Sequence, residues 1–184
     1  MLEKDFLNRP KIDLHCHLDG SMILNSMEEI LGRKIGEEEI RVSDNCTSLA
    51  EYLQKFDLPI SCIQTETGLR KSAKDFLLGL RKDNVKYVEV RFAPFFSCGE
   101  GLSYRQVMES VLDGLKEASK ECGIFYQVIA CNMRHLDEET NLRMMRECRE
   151  FLGDGLCAID LAGDEAGMPN ALFGNLFAEA KKLD

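Results

Sequence analysis

One stretch near the start of the chain decides the fold, and it reads Ile12-Asp13-Leu14-His15-Cys16-His17-Leu18-Asp19-Gly20. Side chains two residues apart along a β-strand lie on the same face of a sheet. The alternation therefore predicts a strand over 11–18 with one apolar face and one face that carries only polar groups. The polar face would present His15 and His17 side by side.

Three further segments have the apolar composition of buried strands, and helical segments separate them. The predicted strands are 11–18, 86–92, 124–133 and 156–162. The predicted helices are about 21–31, 61–81, 103–119, 137–152 and 171–183. Strands that alternate with helices in this way predict an α/β fold whose parallel strands are joined by right-handed crossovers.

Composition narrows the classes of function. The chain has 184 residues, 45% of them hydrophobic and 30% charged, which allows one domain with a real core. Its net charge of −9 argues against neutralisation of nucleic-acid phosphates and favours a small-molecule ligand. We expect no membrane partner, because no segment is long and apolar enough to span a bilayer and residues 1–11 do not resemble a signal peptide. The expected location is the cytoplasm.

Eight cysteines are scattered along the chain with no C-x-x-C pair. A disulfide framework or a zinc ribbon would need closer or more regular spacing. We therefore expect small, reduced and mostly buried thiols.

The sharpest chemical signal is the pair of histidines on the first strand. Imidazoles at positions i and i+2 point the same way and can reach one metal ion at about 2.0–2.1 Å. Asp13 and Asp19 would share their face, as supports for the ligands or as substrate contacts. A solvated polar face is the competing interpretation. It is weakened because the chain has only three histidines, and two of them lie two residues apart on this strand.

Other polar groups lie at the ends of later strands. Glu89 and Arg91 share a face of the second strand, where an internal ion pair is favoured over a catalytic role. His135 follows the third strand, as a ligand or, more commonly, as a loop histidine bonded to the backbone. The segment 160–165 follows the fourth strand, and Gly163 would let a ligand approach the backbone there. A tight turn with solvated acids explains that segment equally well.

Taken together, these motifs resemble the adenosine deaminases of the metal-dependent amidohydrolase superfamily. The matching segments are Pro10 to Gly20, Tyr87 to Pro94, Cys131 to His135 and Asp160 to Glu165. They follow the family's order and cover essentially the whole chain. The resemblance implies a TIM-type (β/α)8 barrel, of which residues 1–184 would be the N-terminal part with about the first four β/α units.

The resemblance also implies a site and a reaction. His15 and His17 would bind one zinc ion, and His17 would lie against the substrate. Asp19 would bind the ribose 5′ hydroxyl, and the backbone N–H of Gly163 would face purine N3. Asp13 and Asp160 would help to hold the ligands in place. The implied reaction is the hydrolysis of adenosine, and of 2′-deoxyadenosine, to inosine and ammonia in purine salvage.

The chain departs from the family pattern in two ways. The family's third zinc histidine, its catalytic glutamate, a further histidine and a metal-binding aspartate would lie beyond residue 184, so no catalytic acid or base is expected within this chain. Ser97 replaces a histidine that the family often has after the segment ending at Pro94. Two alternatives stay open. One is an inactive fragment that associates through open sheet edges, and the other is a different metal hydrolase, such as a nuclease, that shares only the first strand.

Overall fold

The computed structural model describes residues 8–183, apart from the side chain at position 50. The expectation about a signal peptide concerns residues 1–11, of which 1–7 lie outside that range. One sheet contains four strands, all parallel, in the order β1-β2-β3-β4. Their bounds are Lys11–His17 (β1), Val85–Phe92 (β2), Phe125–Met133 (β3) and Leu156–Ala162 (β4). The four predicted strands are thereby confirmed, together with their parallel arrangement.

Helices follow each strand. After β1 come α1 (Leu24–Leu31), α2 (Glu37–Ile40), α3 (Leu49–Gln54), α4 (Asp57–Cys62) and α5 (Glu66–Gly79). After the later strands come α6 (Tyr104–Cys122), α7 (Glu138–Cys148) and α8 (Gly174–Ala180). Short 3-10 turns occupy Asp19–Ser21, Leu80–Asp83, Pro94–Ser97, Arg149–Phe151 and Asn170–Phe173.

The hydrophobic core lies between the sheet and helices α5 and α6. Alternate side chains of β2 and β3 enter it, and they are fully buried apart from Phe92 at 2% exposure: Val88, Val90, Phe92, Val128 and Ala130. Helix α6 packs closely on α5 because Gly114 has no side chain, and a Cβ there would collide with the Arg70 carbonyl oxygen. This packing fixes one face of the sheet and leaves the other face to carry the polar groups.

That second face, which we call the inner face, carries His17, Arg91, Cys131 and Asp160. Residues directly opposite each other in neighbouring strands share a face, and the register pairs His17 with Arg91 and Cys131 with Asp160. Apolar side chains of the same sheet are open to solvent, with Ile12 69% and Phe125 73% exposed. The inner face is therefore open where these strands begin, whereas Arg91 and Cys131 are buried nearer the carboxyl ends of the strands.

A bulge in β1 corrects the predicted strict alternation of that strand. Asp13 pairs with Val88 and Cys16 with Val90, so three steps along β1 match two along β2. Ile12 lies opposite Tyr87 and His17 opposite Arg91, which places an apolar and a polar residue of β1 on the same face. The prediction that polar and apolar residues separate completely on the two faces of this strand is wrong for that reason.

Two helix predictions also differ from the structure. Ser21 lies in a 3-10 turn and caps no helix, since α1 begins at Leu24 without a side-chain cap. The predicted helix over 61–81 is interrupted, because α4 ends at Cys62 and Thr65 caps a new helix by accepting from the Gly68 N–H. The predicted starts at Ser103 and Asp137 are confirmed, since both side chains cap the helices that follow them.

Two further observations concern the thiols and the helices. All eight cysteines are free thiols. Across residues 8–183, no helix combines the length and the hydropathy that a bilayer crossing requires.

Candidate metal and nucleoside site

The two histidines of β1 lie together at the carboxyl end of the strand. Their ring centroids are 5.3 Å apart and the ring planes are inclined by 47°. His15 is exposed, whereas His17 is half-buried beneath the helical segment that follows β1, with the Phe56 ring 6.3 Å away. The structure therefore brings both predicted metal ligands to one place.

Arg91 connects His17 to the rest of the inner face. Its Nη1 donates to His17 Nε2 at 2.5 Å, and its Nη2 lies 2.7 Å from Asp160 Oδ2. The Arg91 side chain is buried, so its charge is compensated by the Asp160 carboxylate rather than by water. Cys131 lies beside the same carboxylate, with Sγ 3.8 Å from Oδ2.

The expected ion pair between Glu89 and Arg91 is a wrong prediction. Arg91 pairs with Asp160 on β4, and Glu89 instead accepts from the Tyr87 hydroxyl at 3.0 Å. The two residues do share a face of β2, but the strand order brings a carboxylate two strands away within reach of the long arginine side chain.

The two aspartates near the histidines have different local roles. Asp13 Oδ1 accepts from the backbone N–H of His15 at 3.0 Å, so it fixes the bulged backbone. Asp19 Oδ1 accepts from the Gly20 N–H at 2.9 Å and lies 3.6 Å from His17 Nδ1. Asp19 also lines a cavity of about 150 Å³ with Phe56 and Met22. A ribose-binding role for Asp19 and a supporting role for Asp13 stay predictions.

Gly163 lies immediately after β4, at the same end of the parallel sheet as His17. Its φ of +115° is a conformation that side-chain-bearing residues rarely adopt. The residue is exposed. Its backbone is therefore accessible at the edge of the sheet where ligands of parallel α/β proteins bind.

Two other predicted positions lie beside this region. His135 is exposed and stacks on Phe96 at a centroid distance of 5.9 Å, and no hydrogen bond to the backbone is seen for its ring within the described chain. Ser97 is fully buried, with its Oγ lacking a hydrogen-bond partner. Neither residue belongs to the histidine pair of β1.

Sequence reasoning missed the ring of Phe56 and the bridging role of Arg91. Phe56 comes from the region after β1 and lies close to the site, since a Cβ added to Gly20 would be 3.2 Å from Phe56 Cε1. An aromatic side chain in a helical segment carries no local signal of such a position. The pairing of Arg91 depends on strand order, which is also invisible locally.

The nitrogen donors of the histidine pair suit zinc. Two neutral imidazoles are suitable ligands, but a catalytic zinc site normally has three protein ligands and a water. Residues 8–183 contain no group of three histidine, cysteine, aspartate or glutamate side chains placed to hold a metal. The His17 Nε2 lone pair that accepts from Arg91 is one that a metal would use, so ligation through that atom requires the contact to be exchanged.

Comparisons with known proteins identify the relatives of this chain. Residues 10–184 match the adenosine deaminase family. The adenosine deaminase of Clostridium botulinum (strain 657 / Type Ba4) is 39% identical over 171 residues, which are 88% of this chain and 52% of that protein. The chain thus spans about half the length of the curated relatives it matches.

Two solved structures resemble the fold. An amidohydrolase from Burkholderia ambifaria, solved with bound Zn, has a TM-score of 0.82 at 19% identity and covers 96% of this chain and 50% of its own. Arabidopsis ADAL complexed with IMP has a TM-score of 0.79 at 25% identity, covering 97% of this chain and 57% of its own. The predicted barrel family is confirmed, with a four-strand part of it in this chain. By the extent of the match over its sequence, the chain belongs to the adenosine deaminase family.

Proposed function

We propose that this chain supplies half of the active site of a zinc-dependent enzyme of purine salvage. The enzyme converts adenosine to inosine and 2′-deoxyadenosine to 2′-deoxyinosine, and each reaction releases ammonia. The observation that carries the proposal is the histidine pair of β1, joined through Arg91 to Asp160, in a chain of this family. Membership of the family argues against a nuclease that shares only the first strand.

In this proposal His15 and His17 hold one zinc ion. Zinc supplies an activated water by lowering its pKa to about 7. In the overall reaction the water oxygen bonds to purine C6, the bond from C6 to the exocyclic nitrogen breaks, and that nitrogen leaves as ammonia. The chain's own residues bind and orient the substrate, with the His17 ring against the purine and Asp160 holding Arg91 in place beside it.

Asp19 favours a nucleoside over its 5′-monophosphate. A carboxylate accepts a hydrogen bond from the ribose 5′ hydroxyl but repels a phosphate at the same position. Arabidopsis ADAL is complexed with IMP, and the base of IMP, which is also the base of inosine, supports a purine ligand for this chain. The 5′-phosphate of IMP is the group that Asp19 is proposed to repel here. The Gly163 N–H is the proposed donor to purine N3.

We also propose that residues outside these 184 supply the remaining ligands and the catalytic acid and base. Support comes from the two-histidine donor set and from the exposed apolar side chains of the sheet, among them Ile12 and Phe125. Self-association of the chain through its sheet edges is the alternative way to cover those side chains.

We further propose a cytoplasmic location for the protein. The free thiols support it, because disulfides are rare in that compartment.

Ligand titration of the 184-residue chain with zinc present, followed by NMR, tests the substrate class. We expect adenosine and 2′-deoxyadenosine to bind, with AMP at least about ten-fold weaker because of repulsion by Asp19. In the Asp19→Asn variant that discrimination against AMP should largely disappear. Equal binding of AMP and adenosine by the unaltered chain would overturn the selectivity assigned to Asp19. No binding of any of the three would overturn the proposal that this chain's own residues bind the substrate.

A further inference from the structure

Arg134 follows β3 within a motif to which the proposed chemistry gives no task. Its side chain is buried, with 4% of the residue exposed. A guanidinium removed from water needs partners for its donors. All of its partners for which contacts are seen lie in the segment between β4 and α8.

The Arg134 guanidinium contacts that segment at several points. Nη1 donates to the Met168 carbonyl oxygen at 2.8 Å, and Nη2 donates to Asn170 Oδ1 at 2.6 Å. Nη2 also lies 3.8 Å from Glu165 Oε2, and the guanidinium carbon lies 5.6 Å from the centre of the Phe173 ring. One side chain thereby ties together residues 165–173, which we call the β4 loop.

Arg134 also flanks Gly163 directly. Its backbone N–H donates to the Ala162 carbonyl oxygen at 2.9 Å. A Cβ added to Gly163 would lie 3.4 Å from the Arg134 Cβ. The backbone of Gly163 therefore sits between a strand held by the main chain of Arg134 and a loop held by its side chain.

The end of β3, which precedes Arg134, is held in place by hydrogen bonds to Asn141. Asn141 of α7 is 1% exposed, and its Oδ1 accepts from the Met133 N–H at 3.0 Å. Its Nδ2 donates to the Met133 carbonyl oxygen at 3.0 Å. The end of β3 is thus locked to a helix, so Arg134 holds the β4 loop against a rigid element.

We propose that Arg134 is a positioning residue that sets the backbone N–H of Gly163 for the ring nitrogen at purine position 3. This inference rests on the proposed function, since it assigns the residue that prepares one substrate contact of that same site. Other contacts of the β4 loop include Asp164 Oδ1, which accepts from the Ala166 and Gly167 N–H groups, and Phe173, which packs with Leu161. Most residues of the loop are exposed, and the Arg134 side chain is what ties the loop to the end of β3. A donor that moves by a fraction of an ångström loses alignment and hence discrimination.

The first experiment measures the loop without any ligand. Hydrogen exchange is followed by mass spectrometry in the 184-residue chain and in Arg134→Ala, with Asn170→Ala as a milder variant should the first not fold. Exchange in peptides from 163–173 should rise at least about ten-fold in either variant, while β2 peptides stay unchanged. Arg149→Ala is the matched control, because it removes an arginine bond to the Leu183 carbonyl oxygen away from the β4 loop.

The second experiment compares adenosine with 3-deazaadenosine, which lacks the acceptor at position 3. The unaltered chain should bind adenosine about ten-fold more tightly by NMR titration. Arg134→Ala and Asn170→Ala should lose most of that preference and bind both ligands similarly, whereas Arg149→Ala should keep it. If Arg134 had a merely structural role, its substitution would lower the affinity for both ligands equally.

The outcomes separate the two claims. If the unaltered chain shows no preference for adenosine, the proposed Gly163 contact fails, and the exchange experiment still decides whether Arg134 holds the loop. If the preference exists and survives in both variants, the positioning role of Arg134 is overturned. Unchanged exchange over 163–173 in both variants would overturn it as well.

Discussion

Arg91 Nη2 lies 2.7 Å from Asp160 Oδ2, and this ion pair joins β2 to β4 across β3. The same guanidinium donates to His17 on β1. A single buried side chain therefore links three strands of the inner face at the point where the proposed metal ligand sits. The orientation of His17 depends on a carboxylate that is remote in sequence.

Breaking the pair should cost stability. We expect Arg91→Ala to lower the free energy of unfolding by about 2–3 kcal/mol, because the partly buried Asp160 carboxylate loses its counter-charge. Asp160→Ala leaves the guanidinium unpaired, and the double variant should lose less than the sum of the two, by about 1–2 kcal/mol. Urea unfolding of all four proteins measures this coupling. Additive losses would show that the two residues do not stabilise each other.

Zinc binding should depend on two of the three histidines. His15→Ala and His17→Ala each remove one of the two proposed ligands, so zinc affinity should fall at least about ten-fold in either variant. His135→Ala is the matched control, since that ring stacks on Phe96 and should not affect affinity. Competition with a chromophoric chelator provides the measurement. A comparable loss in His135→Ala, or none in the other two, would argue against the site.

Gly163 should matter for ligand binding beyond its effect on stability. Alanine is strained at a positive φ, so Gly163→Ala and Gly123→Ala should each lose about 1–3 kcal/mol of stability. Gly123 follows α6 and lies near the start of β3, whereas Gly163 lies beyond the end of β4. Nothing would contact a Cβ added at Gly123. NMR titration should show weaker adenosine binding only in Gly163→Ala. Equal weakening in both would indicate a general effect of destabilisation.

Alkaline pH should destabilise the fold through buried thiols. Burial raises the pKa of Cys131 to about 12, against the opposing effect of Arg91, and burial likewise raises the pKa of Cys148 to about 12. Below pH 9 the thiols are protonated in both states. Between the ordinary value of 9.0 and about 12 the unfolded chain loses protons that the folded chain keeps, so the free energy of unfolding falls as pH rises.

The Cys131→Ala variant tests that origin. Compared by urea unfolding at about pH 8 and about pH 10.5, its stability should fall less steeply than that of the unaltered chain, by about 1 kcal/mol per pH unit. Val128→Ala removes buried volume without a titratable group, so it should lower stability at both pH values and keep the original slope. Identical slopes in all three proteins would contradict the assignment.

Local sequence patterns were enough to predict the strands and several helix ends. β4 has the predicted bounds because its apolar run is short and bounded by polar turns. Ser103 and Asp137 cap helices through contacts within a few residues, and Gly32 ends α1 with a φ of +66°. Such features depend on neighbours in sequence, which is why they are predictable.

Features that depend on pairing between strands were not predictable in this way. The bulge between Asp13 and Cys16 follows from the register with β2, and it changes which side chains of β1 share the inner face. The partner of Arg91 is set by strand order, so Glu89 on the same strand was a reasonable but wrong choice. The spacing of the histidines and the position of Gly163 after β4 marked these residues as candidates, and the resemblance to a family gave them expected roles, but neither gave a partner for Arg134.

Adenosine turnover by a fused protein is the most direct measurement of the proposed function. The fusion joins this chain to the part of the Clostridium botulinum relative that lies outside the matched region. We predict zinc-dependent formation of inosine and ammonia by the fusion and by its His135→Ala variant, and none by its His17→Ala variant or by the 184-residue chain alone. A folded, zinc-loaded fusion that leaves adenosine unchanged would contradict the proposed activity, and turnover by the chain alone would contradict the need for residues outside it.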